Sequence, residues 1–216
     1  MHGRFWPAAV TSQASAMTGD WVVFLVCGGC VALLVWGLIL FAVLRWRRRA
    51  AGGLPPQFNR NNTLEITWTV IPLVLVAVLF VYTYRVEAGV EALAPRPATT
   101  ISVTGFRWGW TFAYDGGPTV TGTANAPPTM VLPVGETTRI TITSSDVNHA
   151  FWVPAFLFKR DAIPGLVTQF DVEPTRAGTF AGKCAEFCGL QHALMGFTVR
   201  VVSPAQYAAW RHGGTT

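Results

Sequence analysis

Four side chains that suit soft metals fall within twelve residues: Cys184, Cys188, His192 and Met195. Thiolate and imidazole are donors for soft or borderline ions, and a thiolate with a thioether points to copper. Zinc would more often show a second Cys-x-x-Cys pair or a second closely spaced histidine. A disulfide between Cys184 and Cys188 is the plain alternative, open to any domain outside the cytoplasm, but it leaves His192 and Met195 without a part. His149 stands 35 residues upstream, at the head of a strand-like run and after the turn-rich stretch 144–148. A Greek-key sandwich can carry such a strand start to a loop near the C-terminus, which makes His149 the candidate second imidazole. A mononuclear blue-copper site needs two His, one Cys and a weak axial Met. This chain offers one cysteine more. Two bridging thiolates can hold two coppers together and let them share one unpaired charge.

The elements that must position these residues begin with a membrane anchor. The chain has 216 residues, 51% hydrophobic and only 12% charged, with nine Trp and fourteen Phe. That is too little charge for an ordinary soluble domain, and the aromatic content suits membrane interfaces. The net charge of +5 comes from residues 1–86, where Arg4, Arg45, Arg47, Arg48, Arg49, Arg60 and Arg85 face only Asp20 and Glu65. The remainder balances nine basic against nine acidic residues. Basicity confined to the apolar part is no nucleic-acid footprint, so the expected partner is the lipid bilayer and no nucleic acid.

Residues 1–20 are polar and patternless, and are expected to form an extracytoplasmic N-terminal segment. Ala14-Ser15-Ala16 looks like a cleavage site but precedes the apolar run, so no cleavage is expected there. Residues 21–86 are expected to form a transmembrane hairpin. Its first span, about 21–44, holds 24 uncharged residues, or ~36 Å of helix, enough to cross a bilayer. Its second, about 66–84, contains Pro72, a possible kink. Five arginines between the spans put the loop 45–65 in the cytoplasm. Cys27 and Cys30 lie inside the first span without a redox context and are read as packing residues. Glu65, at the cytoplasmic end of the second span, is either a helix-start carboxylate or a proton-uptake group.

Residues 87–216 then form an extracytoplasmic domain, long enough for one core. Eight β-type runs are predicted, at 100–105, 108–114, 129–134, 138–143, 150–153, 166–172, 179–184 and 197–202, divided by Gly and Pro turn signals. Many short strands argue for a β-sandwich or barrel. Ser203-Pro204 is a helix-start signal for a short C-terminal helix.

The motif Cys184-x-Glu186-x-Cys188-x-x-x-His192-x-x-Met195 with upstream His149 resembles the binuclear copper A site of cytochrome c oxidase subunit II. Also similar to that family are the two spans, Glu65-Ile-Thr-Trp-Thr-Val-Ile-Pro72, Arg107-Trp108-Gly-Trp110, Asp146-Val-Asn-His149 and Lys159-Arg-Asp161-Ala-Ile-Pro-Gly165. The resemblance covers nearly the whole chain. It implies a cupredoxin-like Greek-key domain behind the two-helix hairpin, and a proton-pumping oxidase. Cys184 and Cys188 would bridge two copper ions, His149 and His192 would each bind one, and Met195 and the Glu186 carbonyl would be weak ligands. The Glu186 side chain would reach a magnesium shared with subunit I. Trp108 would receive electrons from cytochrome c, and Glu65 would sit at the mouth of a proton channel. Asp161 would belong to the polar interface under the copper site. Partners would be subunit I, which holds the haem, and subunit III.

One departure stands out. Where the family commonly carries an acid after the Trp-x-Trp segment, this chain has Ala113, leaving Asp115 and Asp146. Docking of a basic cytochrome c is therefore expected to be weakly electrostatic, or its donor tethered. No Cys-x-x-Cys-His follows the copper loop, so no fused c-type haem is expected. The rival functions are a copper A component of a nitrous-oxide or nitric-oxide reductase and a membrane-tethered cupredoxin carrier. The Glu65 segment and two-span anchor disfavour the first, and the second cysteine disfavours the second. Positive-inside loading and an N-terminus unlike a transit peptide favour a bacterial plasma membrane.

Overall fold

Period-two alternation builds most of the C-terminal strands. In β1 (Thr99–Phe106) buried residues alternate with more exposed ones, and β5 (Thr138–Ser144) repeats the pattern. Side chains two apart share a face, so each such strand offers one face to a core. The structure, a computed structural model, describes residues 8–47, 57 and 59–213. Arg4, Arg48, Arg49 and most of the connector after Ala51 lie outside the described residues. The chain divides into two units, Gly19–Ala88, and Gly89–Thr216 together with Met1–Thr18.

The first unit is made from residues 19–45 of α1 (Ser12–Arg45) and 62–88 of α2 (Asn62–Glu91), both helices long and apolar enough to cross a membrane. They enclose the expected spans 21–44 and 66–84 and run past them, and polar residues cap their starts. Thr11 Oγ1 accepts from Ala14 N at 3.0 Å, and Asn61 Oδ1 accepts from Leu64 N at 3.2 Å. Such caps satisfy amides that the helix leaves unpaired. Leu33, Trp36, Leu73 and Phe80 are exposed. Helices apolar on every side belong in lipid or against a partner. Pro72 is accommodated within α2. Near the other end of α2, Thr83 Oγ1 donates to Asp20 Oδ1 at 3.2 Å, a link between the two helices.

The second unit is a sandwich of two five-stranded sheets. Its remaining strands are β2 (Gly109–Tyr114), β3 (Thr119–Thr123), β4 (Thr129–Pro133), β6 (His149–Val153), β7 (Phe158–Ala162), β8 (Thr168–Val172), β9 (Gly178–Cys184) and β10 (Gly196–Val202). One sheet runs β3-β2-β1-β5-β8, the other β4-β10-β9-β6-β7. The parallel pairs β1–β5 and β10–β4 require crossovers between sheets, as in a Greek key. Aromatic side chains fill the space between. Phe197 stacks on Phe151 at 4.5 Å between centroids and meets Trp110 and Phe112 edge-on at 5.5 and 5.7 Å. Gly182 opposes Phe197 in the register, and a Cβ there would lie 2.1 Å from the Phe197 ring.

All eight expected strands form, with ends shifted slightly. β3 and β7 were not predicted. Thr-Val-Thr-Gly-Thr is polar and short, and Phe-Lys-Arg-Asp-Ala is charged. Both are edge strands, which can be held by pairing on one side without an apolar face of their own. The C-terminal helix, α3 (Pro204–Arg211), starts at a capping box between Ser203 and Gln206. The N-terminal segment holds a further difference. Val10, Thr11 and Ala14 come from a patternless stretch yet are buried, because residues 10–13 pair with the chain just after β8.

Candidate metal centre

His149 opens β6 and Cys184 closes β9, and the antiparallel register sets Phe151 opposite Cys184. The fold thus brings residues 35 apart in sequence to one end of one sheet. The loop 185–195 leaves there and returns as β10. Cys184 N donates to Met195 O at 2.9 Å across its neck, and Ala185 N donates to Ala150 O at 3.0 Å, fastening it to β6. Between them a 3-10 turn, His192–Leu194, turns His192 back toward the cysteines.

Every expected donor converges. The two Sγ atoms lie 3.9 Å apart. Cys184 Sγ is 3.8 Å from His149 Nδ1 and 3.3 Å from the Glu186 carbonyl oxygen. Cys188 Sγ is 3.6 Å from His192 Nδ1 and 3.7 Å from Met195 Sδ. The thiols are free, which rules out the disulfide alternative: a bonded pair would stand at about 2.05 Å. Two donors each bonded at about 2.0–2.3 Å to one tetrahedral ion stand roughly 3.3–3.8 Å apart. The spacing here therefore fits first-row ions seated among the donors. His149 and Met195 are fully buried, both cysteines are buried, and His192 is half-buried.

The electrostatics fit as well. Burial pushes both thiols up. Against it, hydrogen bonding to His149 and to backbone groups draws Cys184 down to about 6, while the Cys184 charge adds to burial and lifts Cys188 to about 12. Two thiolates so placed need shared positive charge to coexist. Burial lowers His149, but Cys184 and Asp146 more than reverse it, so its basicity is raised.

Asp146, expected among the docking carboxylates, also reaches the donor set: its Oδ1 lies 2.9 Å from His149 Nε2, and its Oδ2 accepts from Arg107 N at 2.7 Å. Burial opposes its ionisation, but His149 and the amides of Arg107 and Val147 hold its carboxyl well below the ordinary range. Holding Nε2–H leaves Nδ1 as the free lone pair, aimed at the sulfurs. The three-residue step from Asp146 to His149 was the available signal. Gly105 supplies room: a Cβ there would come within 3.1 Å of the His149 ring.

Trp108 is half-buried, and its Nε1–H donates to the Cys188 carbonyl at 3.2 Å. Gly189, at φ +115, lets the loop pass beside it, since a Cβ would sit 3.2 Å from the indole. Phe187, Leu190 and Leu194 project from the same loop at 79%, 91% and 60% exposure. The Glu186 side chain is partly exposed, and Asp161 lies 4.0 Å from Lys159 at the surface. Glu65 belongs to the other unit. It is exposed, and its Oε1 accepts from Asn61 N at 3.2 Å, the helix-start role.

Comparison with known proteins agrees with this geometry. The family model described as the periplasmic domain of cytochrome c oxidase subunit II matches residues 122–202, and the one described as its transmembrane domain matches residues 7–86. A probable cytochrome c oxidase subunit 2 of Streptomyces avermitilis is 40% identical over 93% of this chain and 76% of its own length. Cytochrome c oxidase subunit 2 of Mycobacterium tuberculosis is 32% identical over 96% of this chain and 74% of its own. Among solved structures, the periplasmic domain of subunit II of cytochrome oxidase from Bradyrhizobium japonicum is 35% identical. It covers 56% of this chain and 95% of that one, with a TM-score of 0.51.

Proposed function

The chain belongs to the cytochrome c oxidase subunit II family, and on that premise we propose that it is the electron-accepting subunit of a proton-pumping oxidase. As a family member it is a membrane protein with a periplasmic cupredoxin-like domain, part of a haem-copper oxidoreductase complex that includes other subunits.

On our reading Cys184, Cys188, His149 and His192 would hold two copper ions, with Met195 and the Glu186 carbonyl as weaker donors. When bound, such a pair supplies one-electron redox chemistry with little change in bond length. The chain's own residues do the rest. The burial of His149 and Met195 keeps water from the donors, and Asp146 fixes the Nδ1 face of His149. Trp108 offers a half-exposed ring hydrogen-bonded to the Cys188 carbonyl, and is where electrons from cytochrome c arrive. They leave for the haem of subunit I. The Glu186 side chain binds magnesium at the subunit I interface, Glu65 stands at the mouth of a proton channel in that subunit, and subunit III completes the assembly. The membrane is a bacterial plasma membrane.

The observation that carries the reading is the convergence of two free thiols, two Nδ1 atoms and one thioether within bridging distance. Copper analysis and electron paramagnetic resonance of the full chain in detergent test it. Two coppers per chain sharing one unpaired electron are expected; one copper with a single blue-type signal would overturn it.

A further inference from the structure

The second long helix carries an open groove that electron transfer does not use. Six residues of α2, Val74, Ala77, Val78, Val81, Tyr82 and Arg85, line a cleft of about 470 Å³. Their spacing, i, i+3, i+4, i+7, i+8 and i+11, sets them in one stripe along one side of the helix. A different side of α2 meets α1. There Leu75 and Leu79 share a second cleft with Phe24 and Val31, and Thr83 donates to Asp20. No α1 residue lines the stripe, and all six of its side chains are exposed.

The length of the stripe says what fits it. From Val74 to Arg85 it rises ~16 Å. That is about half of the ~30 Å hydrocarbon core of a bilayer, the depth of one leaflet. A neighbouring transmembrane helix would run along the full span, whereas a lipid tail occupies one leaflet. The stripe also changes character at one end. Its apolar residues give way to Tyr82 and Arg85, where the expected span 66–84 closes on the periplasmic side. Tyrosine is at home in the headgroup layer, and arginine lays its stem on apolar surface while its head reaches out to that layer.

A cation at this end runs against the usual loading of positive charge on the cytoplasmic side. No internal partner accounts for it: among the described residues Arg85 makes no hydrogen bond or ion pair. Asp20 accepts from Thr83, and Glu91 accepts from Arg160. Glu87, two residues on, lies on another side of the helix.

We propose that this stripe binds an anionic phospholipid of the outer leaflet. The Arg85 guanidinium, with the Tyr82 side chain beside it, takes the headgroup phosphate, and one acyl chain lies along Val81, Val78, Ala77 and Val74. Guanidinium and phosphate match in charge and in the geometry of paired hydrogen bonds. A zwitterionic headgroup brings its own ammonium close to the phosphate and so gains less from Arg85. The site depends on the membrane placement of the hairpin and not on the copper centre, so the two readings fail separately.

The test uses the assembled oxidase in bilayer nanodiscs of equal phosphatidylglycerol and phosphatidylcholine, with the photoreactive residue p-benzoylphenylalanine in place of Val78. Illumination should join that residue to lipid, identified by the mass of the labelled peptide. Phosphatidylglycerol adducts should exceed phosphatidylcholine adducts about fivefold, the preference that one cation at a membrane surface confers. Adding Arg85→Gln should bring the ratio close to one. Crosslinking to a partner subunit, an absence of lipid adducts, or a preference that survives Arg85→Gln would each overturn the site.

Discussion

The copper loop and the cytoplasmic start of α2 carry the two proposed chemistries, and they are built in opposite ways. Around Cys188 the donors come from β6, β9 and the loop between β9 and β10, and their contacts span up to 80 residues of sequence. His149, Met195 and both cysteines are buried; Asp146 turns His149 to offer Nδ1, and His192 presents Nδ1 to Cys188. Glu65 is the reverse. It is exposed, and the hydrogen bond it accepts comes from Asn61, four residues away. A group that must hold an ion in one geometry is pre-organised by its own fold. A group that passes protons to a partner needs solvent on one side and the partner on the other. Damage at the first should therefore be visible in the isolated chain, and damage at the second only in the assembly.

The largest effect is expected from Cys188→Ser. The hydroxyl is a poor ligand for a soft ion, and this sulfur lies near Cys184, His192 and Met195 at once. The shared-electron signal should vanish, with the β unit still folded by circular dichroism. If Cys188→Ser kept that signal, the ligand set would be wrong. A smaller loss is expected from Asp146→Ala, which frees the His149 ring to rotate. Outer-shell partners of ligating histidines are typically worth about 10–100-fold in metal affinity. Copper competition with a chelator should show a drop of that order, and unchanged affinity would return Asp146 to a docking role.

The same contrast explains what could be read from the residues alone. The donor loop was legible because its chemistry is contiguous: two thiols, an imidazole and a thioether in twelve residues. The eight predicted strands alternate or carry Thr, Val and Ile runs between Gly and Pro turns. β3 and β7 were not legible, since edge pairing holds them in place of an apolar face. The contact of Asp146 with His149 was not legible, because it depends on where the His149 ring points, which no spacing states. Residues 10–14 gave no pattern because their burial is imposed by the segment after β8, some 160 residues away. The hairpin was readable from length and apolarity, but its helix ends were not, since caps such as Thr11 and Asn61 lie outside the apolar runs.

Glu65→Gln sharpens the comparison from the other side. Glutamine keeps the length and can still accept from Asn61 N, so the cap should cost no more than about a few tenths of a kcal/mol. Copper content and spectrum should be unaffected. Oxygen reduction by the assembled enzyme should slow several-fold, with proton uptake slowed in parallel. An unchanged oxygen-reduction rate would leave Glu65 as a helix-start carboxylate and nothing more.

The smallest effect concerns salt. A carboxylate-steered docking face gains about ten- to thousandfold in association rate and loses it as ions screen the charges. Near Trp108 that steering is weak. Asp146 is committed to His149 and to the amides of Arg107 and Val147. Ala113 takes the place of an acid, and Asp115 lies past the far end of β2, roughly 20 Å along the strand. The large apolar side chains that the loop exposes are Phe187, Leu190 and Leu194. Contact of that kind changes little with ionic strength. Turnover with soluble cytochrome c is therefore expected to vary by less than about threefold between low and physiological salt, well short of a steered encounter. Leu190→Asp should slow reduction of the copper centre at every salt concentration, because it puts a desolvation cost into an apolar contact. A steep fall of parent turnover with added salt, or a faster Leu190→Asp variant, would mean that charge governs docking and that other carboxylates of the assembly steer it.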